Sequence, residues 1–167
     1  MKLITSEEIS LVENLFHDLN EFRKRDRSYE VKIIESEVIF PIKIKLLNWV
    51  SEHLNLKFHS SNQKFQILRY DTNDFFLRHN DDDIKYRHAF GKNRYLVTGF
   101  HLNDDYTGGE YIVYNPKYII TKEIGVPYVF EANRDHEVKI VTSGTRRSVV
   151  MFITHEDVVH KTNNKII

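Results

Sequence analysis

The chain reads as an α+β protein, with two amphipathic helices followed by a series of short strands that close into a sandwich or jelly roll. Three observations predict this. Before residue 57 apolar residues recur at helical intervals. After it they fall into short runs rich in Ile, Val, Tyr and Phe. Turn residues separate those runs throughout. Helices gathered at one end and strands at the other is the α+β pattern.

The length of 167 residues suits one domain, 1–167, with helical support over 1–56 and a strand core over 57–157. Hydrophobic residues at 41% and charged residues at 29% are globular values, which argues against disorder. Lys+Arg and Asp+Glu are 24 each, so no overall field favours nucleic acid or a membrane surface. No apolar run approaches the roughly 20 residues of a membrane helix. The opening Met-Lys-Leu-Ile-Thr-Ser-Glu-Glu lacks the apolar core of a secretory signal. With no cysteine, disulfides and thiolate sites are excluded, and any metal must be held by His, Asp or Glu. The expectation is a soluble cytoplasmic protein.

In order, Thr5 and Glu8 have capping-box spacing, and Ile9, Val12, Phe16, Leu19 and Phe22 follow at helical intervals. Arg23-Lys24-Arg25-Asp26-Arg27 reads as the solvated basic exit of that helix. Val31 to Ile34 reads as a short strand. Pro41 fits the first turn of a second helix, with Leu46, Leu47, Val50 and Leu54 on one side and Trp49 as a packing residue. Strands are expected at 64–70, 74–79, 94–102, 110–114, 117–121, 127–131, 136–142 and 146–154. The turn signals between them include Asn62, Asp104-Asp105, Gly108-Gly109, Asn115-Pro116, Gly125, Asn133 and Ser143-Gly144.

The stretch Arg69 to Asp81 ends on His79-x-Asp81. In an extended strand these two side chains share a face and present an imidazole nitrogen and a carboxylate oxygen to one point. A further histidine would complete the two-histidine, one-carboxylate set of non-haem Fe(II) enzymes. Alone the pair is weak, since nine histidines and 24 acidic residues give about one such match by chance. His155-Glu156-Asp157 is a second match, but no strand and arginine follow it, and it reads as surface. His136-Glu137-Val138-Lys139-Ile140-Val141-Thr142 alternates, so His136 points inward with Val138, Ile140 and Thr142. On the next strand Arg146, Ser148, Val150 and Phe152 share a face. A guanidinium and a hydroxyl on an apolar interior face are costly unless an anion meets them, and an arginine fork suits a carboxylate. Arg147, of opposite parity, faces solvent. Asp82 has the wrong parity for a ligand, and Asp83 reads as a turn residue.

The order Tyr70…His79-x-Asp81…Arg94…Leu102-Asn103-Asp104…Gly108-Gly109-Glu110…Gly125…Phe130…His136…Gly144-Thr145-Arg146-x-Ser148 resembles the 2-oxoglutarate/Fe(II)-dependent dioxygenases, in their prolyl 4-hydroxylase-like branch, over residues 64–154. The resemblance implies a double-stranded β-helix (jelly roll) core on two supporting N-terminal helices. It implies Fe(II) held by His79, Asp81 and His136. It pairs Arg146, helped by Ser148, with the distal carboxylate of 2-oxoglutarate, and puts Tyr70 in the cosubstrate pocket. His101 stands where the family often has tyrosine and either hydrogen-bonds 2-oxoglutarate or is a core histidine. Asn73 stands where glycine is common, Val97 with Thr98 beside it where threonine is usual, and Tyr111 where threonine follows Gly-Gly-Glu.

The reaction so implied consumes 2-oxoglutarate and dioxygen, releases succinate and carbon dioxide, and hydroxylates a C–H bond, with ascorbate as an accessory reductant. The partner it implies is a peptide or protein, hydroxylated on a prolyl residue. Candidate substrate contacts are Tyr86, Arg87 and His88, in the segment after the first two ligands, and Arg94. Two alternatives stand beside this: the same chemistry on a small molecule or nucleic acid, and a catalytically silent jelly-roll binding module. Neutral charge speaks against nucleic acid. A complete triad together with Arg146 speaks against the silent module.

Overall fold

The computed structural model describes residues 1–17, 23–25, 29–34, 36–58, 64–82 and 93–159. The first helix, α1 (Ser6–His17), starts at the expected capping box: Glu8 N–H donates to Thr5 Oγ1 at 3.2 Å and Thr5 N–H to Glu8 Oε2 at 2.7 Å. Ile9 and Val12 are buried. Leu19 and Phe22 lie outside the described residues.

The basic stretch departs from expectation. Arg23–Arg25 is not a helix exit but a strand, β1, paired antiparallel with β2 (Tyr29–Ile34). A sheet edge presents unpaired N–H and C=O groups, and pairing them outweighs the weak helical preference of three basic residues. The second helix, α2 (Phe40–Leu54), has Pro41 in its first turn and ends on Asn55 in the left-handed region at φ 51°. It buries Ile42, Leu46, Leu47 and Val50; Leu54 sits at the rim, and Trp49 packs, partly buried, against the same cluster.

The remaining strands are β3 (Phe65–Tyr70), β4 (Phe76–His79), β5 (Arg94–His101), β6 (Thr107–Gly108), β7 (Tyr111–Val113), β8 (Tyr118–Ile120), β9 (Pro127–Glu131), β10 (His136–Val138), β11 (Val141–Ser143) and β12 (Arg146–Thr154). They form a six-stranded antiparallel sheet, β1-β2-β3-β12-β5-β9, a four-stranded sheet, β4-β10-β7-β8, and a β11-β6 pair. The sheets face each other without closing on themselves among the described residues.

Two apolar clusters follow from strand alternation. Phe65, Ile67, Leu96, Phe100, Val149, Met151 and Ile153 pack under the helices. Tyr70, Val97, Tyr111, Val113, Phe130, Val138 and Val150 fill the space between the sheets. The large sheet is therefore the middle of three layers.

The strand expected over 136–142 is broken. Val138 and Val141 point inward, while Ile140, 52% exposed, and Thr142 face solvent. Inward positions three apart mean that the side-chain alternation has slipped by one residue, which turns the following residues to the opposite face. The slip is tied by backbone bonds: Lys139 N–H to Glu110 O, Gly109 N–H to Ile140 O, and Val141 N–H to Asp74 O, at 2.9 to 3.0 Å. Asn73 takes φ 74°, a conformation open to glycine and, among other residues, chiefly to Asn and Asp. Its N–H donates to Val141 O at 2.8 Å.

Candidate metal centre and cosubstrate pocket

The last residue of β4 is His79 and the first of β10 is His136, and the two are directly opposite in the ladder. Their ring centroids are 4.3 Å apart. Asp81 lies two residues past His79, its N–H held by Ala132 O at 2.8 Å. One donor atom from each of the three lies within 4.8 Å of the others.

Both imidazoles are oriented in the same way. His79 Nδ1 is 2.7 Å from Leu77 O, and His136 Nδ1 is 3.0 Å from Arg134 O. A carbonyl only accepts, so each Nδ1 carries a proton and is the ring atom taken up by the backbone. The Nε2 atoms point at Asp81, His136 at 3.2 Å from Oδ2 and His79 at 3.9 Å from Oδ1. Carbonyl-anchored imidazoles are what metal-ligating histidines present.

Protonation favours the same use. Burial, then the neighbouring His136, lower the pKa of His79 against the opposing pull of Asp81. For Asp81, burial pushes upward but is outweighed by the hydrogen bond and charge of His136, with Arg94 and His79, so its carboxyl sits below the ordinary value. Two imidazoles and a carboxylate, aimed at one point, fit a divalent transition metal such as Fe(II).

Arg94 Nη1 donates to Asp81 Oδ1 at 2.9 Å, and its guanidinium lies 3.6 Å from the centroid of the Phe152 ring. The residue expected to meet substrate thus also fixes the carboxylate. Tyr86, Arg87 and His88 lie outside the described residues.

Arg146 opens β12 opposite Tyr70 of β3, and Ser148 lies between Leu68 of β3 and His101 of β5. Arg69, Arg78, Arg94 and Arg147 each hold a carboxylate. The pair of Arg147 with Glu13 of α1 corrects the expectation that it faces solvent: the middle of the sheet is covered on that side by the helix. Arg146, only 1% exposed, donates from Nη1 to Ser148 Oγ at 3.0 Å. Among the described residues its Nε has no partner, nor has the buried Tyr70 hydroxyl, over whose ring the guanidinium sits at 5.1 Å. A buried cation with an unused donor calls for an anion.

These groups share a cavity of about 270 Å³. Arg146, Ser148, Tyr70 and Tyr111 form its buried end, and His79, Asp81 and His136 stand along it. Val31 and Val150 are buried wall residues, and the more exposed Ile33, Leu68, Phe76 and Phe152 lead outward, with Gln66 an uncharged polar group among them. His101 is buried with both ring nitrogens unpartnered, but it is not on the cavity wall.

Tyr111, the departure from threonine after Gly-Gly-Glu, is a wall residue, and so is Tyr29, which the sequence pattern had not pointed to. Tyr29 stacks on Tyr70 at 4.9 Å and against Phe76 at 4.7 Å. Extending the Val31–Ile34 strand two residues back would have found it, since Tyr29, Val31 and Ile33 alternate. Tyr106 is a further omission: it is buried, and its phenol lies beside the Arg146 guanidinium.

Residues 65–154, more than half of the chain, match the 2OG-Fe(II) oxygenase superfamily, and the chain belongs to that family. It is a 2-oxoglutarate- and Fe(II)-dependent dioxygenase, and its architecture is that of the prolyl 4-hydroxylases, built on a double-stranded β-helix core. A prolyl-4-hydroxylase from Pseudomonas putida is 16% identical, with 92% of this chain and 89% of that chain covered and a TM-score of 0.71. A Trichoplax adhaerens prolyl hydroxylase, in complex with a hypoxia inducible factor oxygen degradation domain peptide fragment, is 17% identical over 90% and 78% of the two chains, with a TM-score of 0.72. A viral collagen prolyl hydroxylase from Paramecium Bursaria Chlorella virus-1, as its 2OG complex, is 18% identical over 92% of each chain, with a TM-score of 0.71. No curated protein sequence matches the chain significantly. No helix of the described residues is long and apolar enough to cross a membrane.

Proposed function

We propose that this enzyme hydroxylates a prolyl residue of a peptide or protein in the cytoplasm, consuming 2-oxoglutarate and dioxygen and releasing succinate and carbon dioxide. The observation that carries the reading is one cavity in which, among the described residues, a buried arginine without an anionic partner, a His-Asp-His cluster and an uncharged outer lip follow one another. In this reading His79, Asp81 and His136 hold the iron, which supplies the oxidative chemistry when bound.

The chain's own residues bind, orient and exclude water. Arg146 receives the distal carboxylate of 2-oxoglutarate through its free Nε and the remainder of its fork. Ser148 fixes the guanidinium, and the Tyr70 hydroxyl supplies a second donor. His101 stands one strand away from Ser148 and backs the same end of the pocket. Leu77 O and Arg134 O keep the Nδ1 protons in place, so both Nε2 atoms remain available to the metal. Arg94 keeps Asp81 turned toward the imidazoles.

The lip favours an uncharged target. Val31, Ile33, Leu68, Phe76 and Phe152 offer apolar surface, and the guanidinium of Arg94 is already engaged by Asp81. A prolyl ring is apolar and compact, and the similar structures named above are prolyl hydroxylases, one of them in complex with a peptide fragment.

The test is 2-oxoglutarate turnover to succinate with Fe(II) and ascorbate, alone and with a panel of proline-containing peptides. Peptide-stimulated succinate, with one oxygen atom added to a prolyl residue by mass spectrometry, is the expected result. Succinate that no peptide stimulates, with a nucleoside or small acid stimulating it instead, would overturn the peptidyl assignment.

A further inference from the structure

Asn103 lies off the cavity wall, yet it grips the backbone on both sides of Arg146. It follows β5 by two residues and is buried. Its Nδ2 donates to Thr145 O at 2.7 Å, and its Oδ1 accepts from Arg147 N–H at 2.7 Å. Both halves of one amide are therefore spent on the two residues that flank the arginine. Nδ2 also donates to Asp105 Oδ1 at 2.5 Å, which fixes the amide's own orientation.

The surroundings converge on the same short segment. Leu102 N–H donates to Arg147 O at 3.0 Å. From the other side Thr145 Oγ1 donates to Asp71 Oδ1 at 2.8 Å, immediately after Tyr70. Gly144 crosses so close that a Cβ there would lie 2.9 Å from Asp105 O. Beyond this backbone anchoring, the guanidinium is held among the described residues by the bond to Ser148, with the Tyr106 phenol beside it. An arginine side chain is long, and small changes at its Cα displace its tip. A displacement of about 1 Å at a binding group can cost about a hundredfold.

We propose that Asn103 is a positioning residue for 2-oxoglutarate: by clamping Thr145 and Arg147 it aims Arg146 at the distal carboxylate. The inference rests on the assignment of Arg146 made above. The alternative is a generic brace of the turn, which would contribute to stability and nothing else. Only a primary amide at this length can donate to one peptide group and accept from the next. An aspartate would keep the acceptor, lose the donor, and set a carboxylate against Thr145 O and Asp105.

The test compares Asn103→Ala and Asn103→Asp with Thr98→Val, which removes a buried brace far along β5, the bond from Thr98 Oγ1 to Tyr128 O at 2.7 Å. Binding of 2-oxoglutarate and of Mn(II) is measured on the full chain by titration, with thermal midpoints alongside. The Asn103 variants are expected to weaken 2-oxoglutarate binding by about 10- to 100-fold, the range of outer-shell partners, with Mn(II) binding unaltered. Thr98→Val should lower the midpoint and leave 2-oxoglutarate binding unaltered. Unchanged 2-oxoglutarate binding in the Asn103 variants, or equal loss of Mn(II) and 2-oxoglutarate, would overturn the proposal. If Asn103→Ala does not fold, Asn103→Gln, with the same amide one methylene further out, carries the same comparison. A parent chain that binds no 2-oxoglutarate would overturn the Arg146 assignment itself, an outcome separate from failure of Asn103 alone.

Discussion

The two faces of β12 are equally buried and energetically opposite. Toward the helices, Val149, Met151 and Ile153 are fully enclosed by apolar neighbours such as Val12, Leu46 and Val50 and carry no side-chain polar atom. Toward the second sheet, Arg146 and Ser148 are just as enclosed, but the Arg146 Nε and the Tyr70 hydroxyl opposite it have no partner among the described residues. One face has completed its interactions within the chain, and the other holds some in reserve for a ligand. Burial therefore does not separate core from site in this fold; unsatisfied polar atoms do. Holding them is unfavourable in the free protein, and the ligand recovers that energy on binding.

Substitutions that treat the two faces alike sharpen this contrast. The largest effect is expected from His136→Ala or His79→Ala, either of which leaves two of the three ligands. Metal-dependent succinate production should be abolished and Mn(II) binding lost in a titration, with the circular dichroism spectrum unchanged. Retained turnover in either variant would remove that histidine from the ligand set. Next, Arg146→Leu should weaken 2-oxoglutarate binding by about 2–5 kcal/mol, the cost of truncating one partner of a buried charge pair. In the absence of ligand it should leave the urea midpoint at or above that of the parent chain, because a buried unpaired charge is removed. Met151→Ala on the opposite face should lower stability by about 2–5 kcal/mol through lost transfer energy and a cavity, with 2-oxoglutarate affinity intact below the unfolding transition. If Arg146→Leu destabilised the free protein as much as Met151→Ala, the two faces would not differ in kind.

What could be read in the sequence follows the same division. The period-two pattern placed Arg146 with Ser148 because both lie within one unbroken strand. His79 and Asp81 come together although β4 ends at His79, because the bond from Asp81 N–H to Ala132 O holds the residues just past the strand in place. The ladder contact of His136 with His79 could only be inferred, since pairing between distant strands leaves no local mark. Alternation failed between Val138 and Val141, where bonds from Glu110 and Asp74 impose a slip that residues 136–142 do not encode by themselves. Arg23–Arg25 was misread for a similar reason, its strand state being set by β2. Asn73 shows the reverse. It departs from the glycine common in related sequences, and its φ of 74° shows that the turn survives the exchange. The bond of Arg94 to Asp81 joins residues 13 apart and was beyond any local pattern.

The smallest effect tests whether His101 belongs to the core or to the site in its protonation. Burial, then the charges of Arg146 and Lys122, hold its pKa well below the usual histidine value. In the unfolded chain the same imidazole titrates near pH 6.5. Below that pH the unfolded state takes up a proton that the folded state refuses, so the stability due to this group is fully present above about pH 6.5 and is lost as pH falls toward the folded pKa. The slope for one such proton is at most about 1.4 kcal/mol per pH unit. Urea unfolding of the parent chain and of His101→Gln at pH 7.5 and pH 5.5 isolates the contribution, since any constant cost of the substitution cancels between the two pH values. The variant should lose less stability on acidification, by up to about 1.4 kcal/mol. An equal loss in both would mean that the folded protein protonates His101 readily. A second cation would then stand beside Arg146, and the anion-binding end of the cavity would grow stronger in acid while the opposite face of β12 stayed indifferent to pH.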